Sequence, residues 1–148
     1  MNQEIRQRVE RAITALKQGQ LIILTDDAQR EHESDLVGLA SFATTENVNQ
    51  ALRVGRGVLC APMSAERAAQ LQLPQMAATN TEKFGTQFTV SVDHKGTTTG
   101  VSAVDRAQTL RELANLSAQS TDFERPGHIF PLVAVPDGVL ARAGHTEA

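Results

Sequence analysis

Among its 148 residues the chain has no tryptophan, no tyrosine and a single cysteine, Cys60. Without those two ring types, recognition of single-stranded nucleic acid by base stacking is poorly served. A lone cysteine excludes an internal disulfide and a multi-cysteine zinc site. Lying in the apolar run Val58-Leu59-Cys60-Ala61, it reads as a packed small hydrophobe rather than a nucleophile. No apolar run approaches the roughly 18–20 residues that a membrane-spanning helix needs. Positive charge is not in excess: 14 Lys and Arg stand against 17 Asp and Glu, a net charge of −3. That balance argues against nucleic acid or an anionic membrane as the main partner. Met1-Asn2-Gln3-Glu4-Ile5-Arg6 contains no apolar signal core, so a cytoplasmic location is expected. There is no internal repeat and no low-complexity stretch. The length suits one domain over residues 1–148 with a real core.

What is present alternates between helical and strand patterns. Ile5, Val9, Ala12, Ile13 and Leu16 recur at helical spacing over residues 4–18, and Gly19 is a plausible stop. Leu21-Ile22-Ile23-Leu24-Thr25 reads as a buried strand, and the apolar stretch Leu36–Phe42 suits a strand paired back beside it. Thr44 and Thr45 are candidate caps for a helix over 46–54 that ends in Gly-Arg-Gly at 55–57. A short strand is expected at 58–61, then a small helix from Ala65 to Leu73 capped by Ser64 and closed by Pro74. Residues 75–87 form a long polar loop, which in a compact domain is either mobile or functional. Phe88–Val92 alternates as a strand. Ser102 caps a helix through about Leu116, with Asp105 completing a capping box in a shorter acid. Ile129–Val135 reads as a strand, and Pro131 within it argues for a sheet edge or a bulge. Pro136-Asp137-Gly138 is a turn before a short strand at Val139-Leu140. The pattern predicts an α+β fold: a layered domain with a mixed, twisted sheet flanked by helices.

Four stretches can carry chemistry. Asp26-Asp27-Ala28-Gln29-Arg30-Glu31-His32-Glu33-Ser34-Asp35 places five carboxylates, an arginine and a histidine just after a strand. A solvated acidic turn is the commoner outcome for such a run. Here, however, the carboxylates flank a cation, and the carboxyl end of a strand is where clefts of layered sheets form. Hard oxygens of this kind suit Mg²⁺, which often takes one or two carboxylates and keeps several waters. Thr97-Thr98-Thr99-Gly100, ahead of a helix N-terminus, suits an anion or is simply a strand end followed by a cap. Arg125-Pro126-Gly127-His128 sets a histidine after a rigid turn, as a general acid or base or as an ordinary loop residue. Arg142-Ala143-Gly144-His145-Thr146 gathers a phosphate-competent arginine, a metal-competent histidine and a hydroxyl, or else forms a frayed terminus.

Taken together these motifs resemble one family. Asp26-Asp27-x-x-Arg30-Glu31-x-Glu33-x-Asp35, Phe84-Gly85-Thr86-x-Phe88-Thr89-Val90, Thr98-Thr99-Gly100-Val101-Ser102-Ala103-x-Asp105-Arg106, Arg125-Pro126-Gly127-His128-x-Phe130-Pro131-Leu132 and Gly144-His145-Thr146-Glu147-Ala148 are similar, in order and spacing, to 3,4-dihydroxy-2-butanone 4-phosphate synthases of riboflavin biosynthesis. The resemblance implies a Mg²⁺-dependent lyase, with Mn²⁺ as an alternative metal, acting as a homodimer with interface sites. It would convert D-ribulose 5-phosphate to formate and 3,4-dihydroxy-2-butanone 4-phosphate through an enediol and a skeletal rearrangement. On the same basis Glu31 and His145 match metal ligands. Arg30, Glu31, Asp35, Thr99 and the run Arg142, Ala143, Gly144, His145 and Thr146 match substrate-binding positions. His128 matches a histidine important for catalysis, and Glu33 and Asp35 are, like it, candidates for proton transfer.

Two departures stand out. Ser34 occupies a position where the family usually has glycine or alanine, and a positive φ there would strain the loop. The family also continues beyond the Gly-His-Thr-Glu-Ala motif with a helix, a strand and a second catalytic glutamate, so a C-terminally shortened form is expected. An alternative reading follows from that: a non-catalytic paralogue that keeps the fold and binds sugar phosphate or a protein partner.

Overall fold

Helical and strand periodicities become, in chain order, α1 (Gln3–Lys17), β1 (Ile22–Thr25), β2 (Ser34–Val37), a 3-10 turn (Ala40–Phe42), α2 (Thr45–Gly55), β3 (Cys60–Met63), α3 (Ala65–Gln70), β4 (Gln87–Phe88), β5 (Val92–His94), α4 (Ala103–Ala114), a second 3-10 turn (Ser120–Asp122) and β6 (Phe123–Val133). These come from a computed structural model that describes residues 3–26, 28–29, 31–138 and 141. The expected caps form: Thr44, Ser64 and Ser102 each accept a hydrogen bond through the side-chain oxygen from the backbone N–H three residues on. The Asp105 carboxylate accepts from the Thr98 N–H and hydroxyl at 3.1 and 2.8 Å, tying the threonine turn to the first turn of α4.

β6 is the organising strand. β3 runs parallel to it on one side, with Cys60 opposite Phe130 and Met63 opposite Val133. β4 and β5 run antiparallel on the other. The result is the expected mixed sheet, with α4 packed against β5, β6 and α2. Leu71, Val92, Ala107 and Ile129 are fully buried at its centre. Among the described residues no helix is long and apolar enough to cross a membrane.

Several expectations need correction. The Arg-Pro-Gly-His segment is not a turn before a strand; it lies within β6, which begins at Phe123. Pro131 sits in this central strand rather than at an edge. A proline is tolerated there because its missing N–H would face a gap between β4 and β5. The Pro131 carbonyl still accepts from the Thr89 N–H at 3.0 Å, whereas the Val90 N–H turns away to the Pro74 carbonyl. The same gap divides the single strand expected at 88–92 into β4 and β5, and the bulge lies at Val92–Asp93. β2 begins at Ser34, inside the acidic stretch, and pairs Thr25 with Ser34 and Ile22 with Val37. The acidic loop is therefore the turn of a β-hairpin, and β1, expected to be buried, leaves Ile23 70% exposed. The strand near Cys60 starts two residues later than expected, and α3 is shorter. Val139-Leu140 lies outside the described residues.

Candidate active site

The acidic hairpin is built around Asp26. Its two carboxylate oxygens accept the backbone N–H groups of Glu31 and Glu33, each at 3.0 Å, and its own N–H donates to the Glu33 carbonyl. Asp26 thus folds the turn, and positive φ falls on His32, at 57°. Ser34 is not among the positive-φ residues and lies in β2, so the strain considered for it does not arise. Glu31, Glu33 and Asp35 line one wall of a cleft of about 450 Å³.

The same cleft is lined by Leu132 of β6, Phe88 of β4 and the polar loop 75–87, through Glu82, Phe84 and Thr86. That loop is organised by its own side chains. Glu82 accepts the Phe84 and Thr86 N–H groups at 2.9 and 2.8 Å, and Asn80 accepts from the Glu82 N–H and donates to the Thr86 carbonyl. The Thr86 N–H, more than any other group, holds the Glu82 carboxyl below its ordinary range. Glu82 therefore adds a fourth carboxylate to the cleft, one that the motif reading passed over because nothing in Asn80-Thr81-Glu82 distinguishes it from a surface turn.

His128 belongs to a second cluster. Its ring Nδ1 is 2.7 Å from Asp93 Oδ2, and its backbone N–H donates to Asp93 Oδ1 at 2.9 Å. Asp93 is buried, whereas the His128 side chain is 40% exposed. With Nδ1 engaged, Nε2 is the ring atom left for proton transfer. Thr99 lies exposed in the turn whose Gly100 packs against Asp93. The Thr98 N–H, and next its hydroxyl, hold the Asp105 carboxyl below its usual value. Asp93 was not legible as functional, because Phe88-Thr89-Val90-Ser91-Val92-Asp93 reads as a strand running into a polar end.

The structure brings Glu31, Glu33 and Asp35 together but does not place His128 or Thr99 on the same cleft. His128 and Leu132 are four residues apart on β6, roughly 13 Å at about 3.3 Å per residue. Arg30, Arg142, Ala143, Gly144, His145 and Thr146 lie outside the described residues. Among the described residues no group of three His, Cys, Asp or Glu side chains is arranged to hold a metal ion. The cleft still fits a divalent cation in the kind of donor it offers, since carboxylate oxygens are hard ligands and Mg²⁺ keeps several waters.

The family model for 3,4-dihydroxy-2-butanone 4-phosphate synthase matches residues 10–148. A 3,4-dihydroxy-2-butanone 4-phosphate synthase of Oceanobacillus iheyensis is 54% identical over 141 residues, which are 95% of this chain and 68% of that protein. A riboflavin biosynthesis protein RibBA of Bacillus mycoides is 51% identical over 141 residues, with 36% of its length covered. A crystal structure of a 3,4-dihydroxy-2-butanone 4-phosphate synthase in complex with two magnesium ions superposes with a TM-score of 0.90 at 48% identity, covering 94% of this chain and 65% of that one.

Proposed function

Because the chain belongs to the 3,4-dihydroxy-2-butanone 4-phosphate synthase family, we propose that it is a divalent-cation-dependent lyase converting D-ribulose 5-phosphate to 3,4-dihydroxy-2-butanone 4-phosphate and formate. The observation that carries this reading is the gathering of Glu31, Glu33 and Asp35 on one wall of a cleft, on a hairpin fixed by Asp26. Glu31, with His145, would hold the cation, Mg²⁺ or alternatively Mn²⁺. When bound, the cation supplies polarisation of adjacent ketose oxygens and so acidifies the neighbouring C–H.

The chain's own residues do the rest. Glu33 and Asp35, which line the same cleft, would take the proton whose loss gives the enediol. The Glu82 carboxyl, held below its ordinary range by the Thr86 N–H, would add negative charge to the same cleft and so favour a cation there. Arg30, Arg142 and Thr146 would bind the phosphate end, and Ala143, Gly144 and Thr99 would line the substrate. His128 offers Nε2 for a further proton transfer. One chain holds its histidine away from its own carboxylates. The reading therefore includes a homodimer in which His128 of one protomer faces the cleft of its partner, and the separation of the two clusters along β6 supports it.

Formate release from ribulose 5-phosphate, measured with and without Mg²⁺ on protein of this length, tests the proposal. Metal-dependent release is expected. Folded protein that releases no formate yet binds the sugar phosphate would favour the second reading, a binding paralogue. The chain spans 68% and 65% of the lengths of the synthases it matches.

A further inference from the structure

Two motifs singled out in the sequence and one strand end converge on a buried carboxylate. The Ser91-Val92-Asp93 strand end supplies it, the Thr-Thr-Thr-Gly turn passes over it, and Arg-Pro-Gly-His presents a ring to it. The glycines in the last two motifs mark the convergence. A methyl on Gly100 would collide with the Asp93 carboxylate, and one on Gly127 would collide with the Val92–Asp93 backbone. Gly127 also donates its N–H to Ser91 Oγ at 3.1 Å, so two successive N–H groups of β6, those of Gly127 and His128, are held by side chains of the 91–93 segment.

We propose that Asp93 is a positioning residue that fixes the tautomer and the orientation of His128. The inference goes beyond the family assignment and rests on the proposed activity only for its kinetic arm. The physical argument has two parts. An ionised carboxylate can only accept hydrogen bonds, so at 2.7 Å from Nδ1 it selects the tautomer carrying the proton on Nδ1 and leaves a lone pair on Nε2. The second oxygen holds the His128 backbone N–H at 2.9 Å, so one side chain fixes both the peptide and the ring of the same residue. A carboxylate with two oxygens engaged by one histidine leaves that ring little freedom to swing. The ring itself, 40% exposed, keeps Nε2 available at the surface. That asymmetry, with the orienting group buried and the reacting atom open, is what a proton-transfer histidine needs. Gly100 and Gly127 then have complementary roles: Gly100 leaves the space in which the Asp93 carboxylate sits, and Gly127 lets β6 approach the Val92–Asp93 backbone that carries it.

The test uses Asp93→Asn, which keeps the shape but presents an N–H₂ group that can donate to Nδ1. The tautomer of His128 is read directly from ring nitrogen chemical shifts in isotopically labelled full-length protein, at a pH where the ring is neutral. In the unmodified protein His128 is expected as the Nδ1–H form, and in Asp93→Asn the population shifts to the Nε2–H form with the overall spectrum retained. Formate release should then fall on the order of 100-fold in kcat, with KM changed less than about threefold, because the histidine's proton transfer and not substrate binding is lost. An Nε2–H or mixed tautomer in the unmodified protein overturns the proposal, and this readout survives even if the variant fails to fold. A loss of kcat in Asp93→Asn with the Nδ1–H tautomer unchanged also overturns it, since Asp93 would then be a packing residue only. If the unmodified protein shows no formate release, the proposed function fails while the tautomer measurement still decides the role of Asp93.

Discussion

Replacing Gly127 with alanine should be among the most damaging single-methyl changes in this protein. Gly127 does not need a positive φ; it needs space, because an added Cβ would overlap the Val92 carbonyl carbon and the Asp93 nitrogen of the neighbouring strand. Both are backbone atoms, so no rotamer change relieves the overlap, and β5 must move away from β6. The movement strains a packed sheet, at about 1–3 kcal/mol for overpacking. It also weakens three hydrogen bonds, Gly127 N–H to Ser91 Oγ and the His128 N–H and ring to Asp93, each worth about 0.5–1.5 kcal/mol. Together these reach about 2.5–7.5 kcal/mol, or roughly 5–30 °C in Tm for a chain of this size. Gly85→Ala is the matched control. Gly85 has φ +71° but nothing within 4 Å of an added Cβ, so only the conformational cost of about 1–2 kcal/mol applies. Urea unfolding followed by far-ultraviolet circular dichroism measures both variants. If Gly127→Ala costs no more than Gly85→Ala, the close approach of β5 and β6 at Asp93 is wrong, and with it the account of His128.

Ile129 is fully buried opposite Val92, so Ile129→Ala should cost about 2–5 kcal/mol and Ile129→Val about 1 kcal/mol in the same unfolding assay. Thr98 lowers the folded-state pKa of Asp105 from its ordinary 3.8, so the unfolded chain binds the extra proton in acid. That contribution to stability is fully present above about pH 4 and is lost as pH falls through the lower, folded value; Asp105→Asn should remove this part of the acid dependence in denaturant midpoints taken between pH 2 and 6. Glu31→Gln and His128→Asn chains, each inactive alone, should regain about a quarter of wild-type formate release when refolded together, because half of the dimers are then mixed and each mixed dimer has one intact site. No recovery from folded mixtures would refute the interface site.

Local signals were legible where local physics decides. The caps Thr44, Ser64 and Ser102 could be read because a hydroxyl three residues before an orphan N–H has one obvious use. Helix and strand types came from periodicity, and the mixed sheet from their alternation. Pairing was less legible. Pro131 argued for an edge, yet it lies in the central strand because the break between β4 and β5 occurs at the place where its N–H is missing. On the other side of that break the chain bonds to residues 74–76, through the Val90 N–H to the Pro74 carbonyl and the Met76 N–H to the Phe88 carbonyl, a pairing that no local pattern encodes.

The candidate site divides in the same way. Glu31, Glu33 and Asp35 were readable because charge at the end of an apolar run has no packing use, and the hairpin then brings them to one wall. Asp26 looked like a fourth member of that set, but its carboxylate serves the loop's own N–H groups, so a carboxylate in a motif can be the frame rather than the tool. Asp93 is the opposite case. It stands outside every acidic cluster in the sequence, one residue after a fully buried valine, and it became visible only when β5 was laid against β6. Gly100 and Gly127 lie 27 positions apart, in separate motifs, yet they close on one residue, Gly100 on the Asp93 carboxylate and Gly127 on the Val92–Asp93 backbone. A glycine whose φ is ordinary, as at Gly127, signals a close neighbour, and the identity of that neighbour names the function.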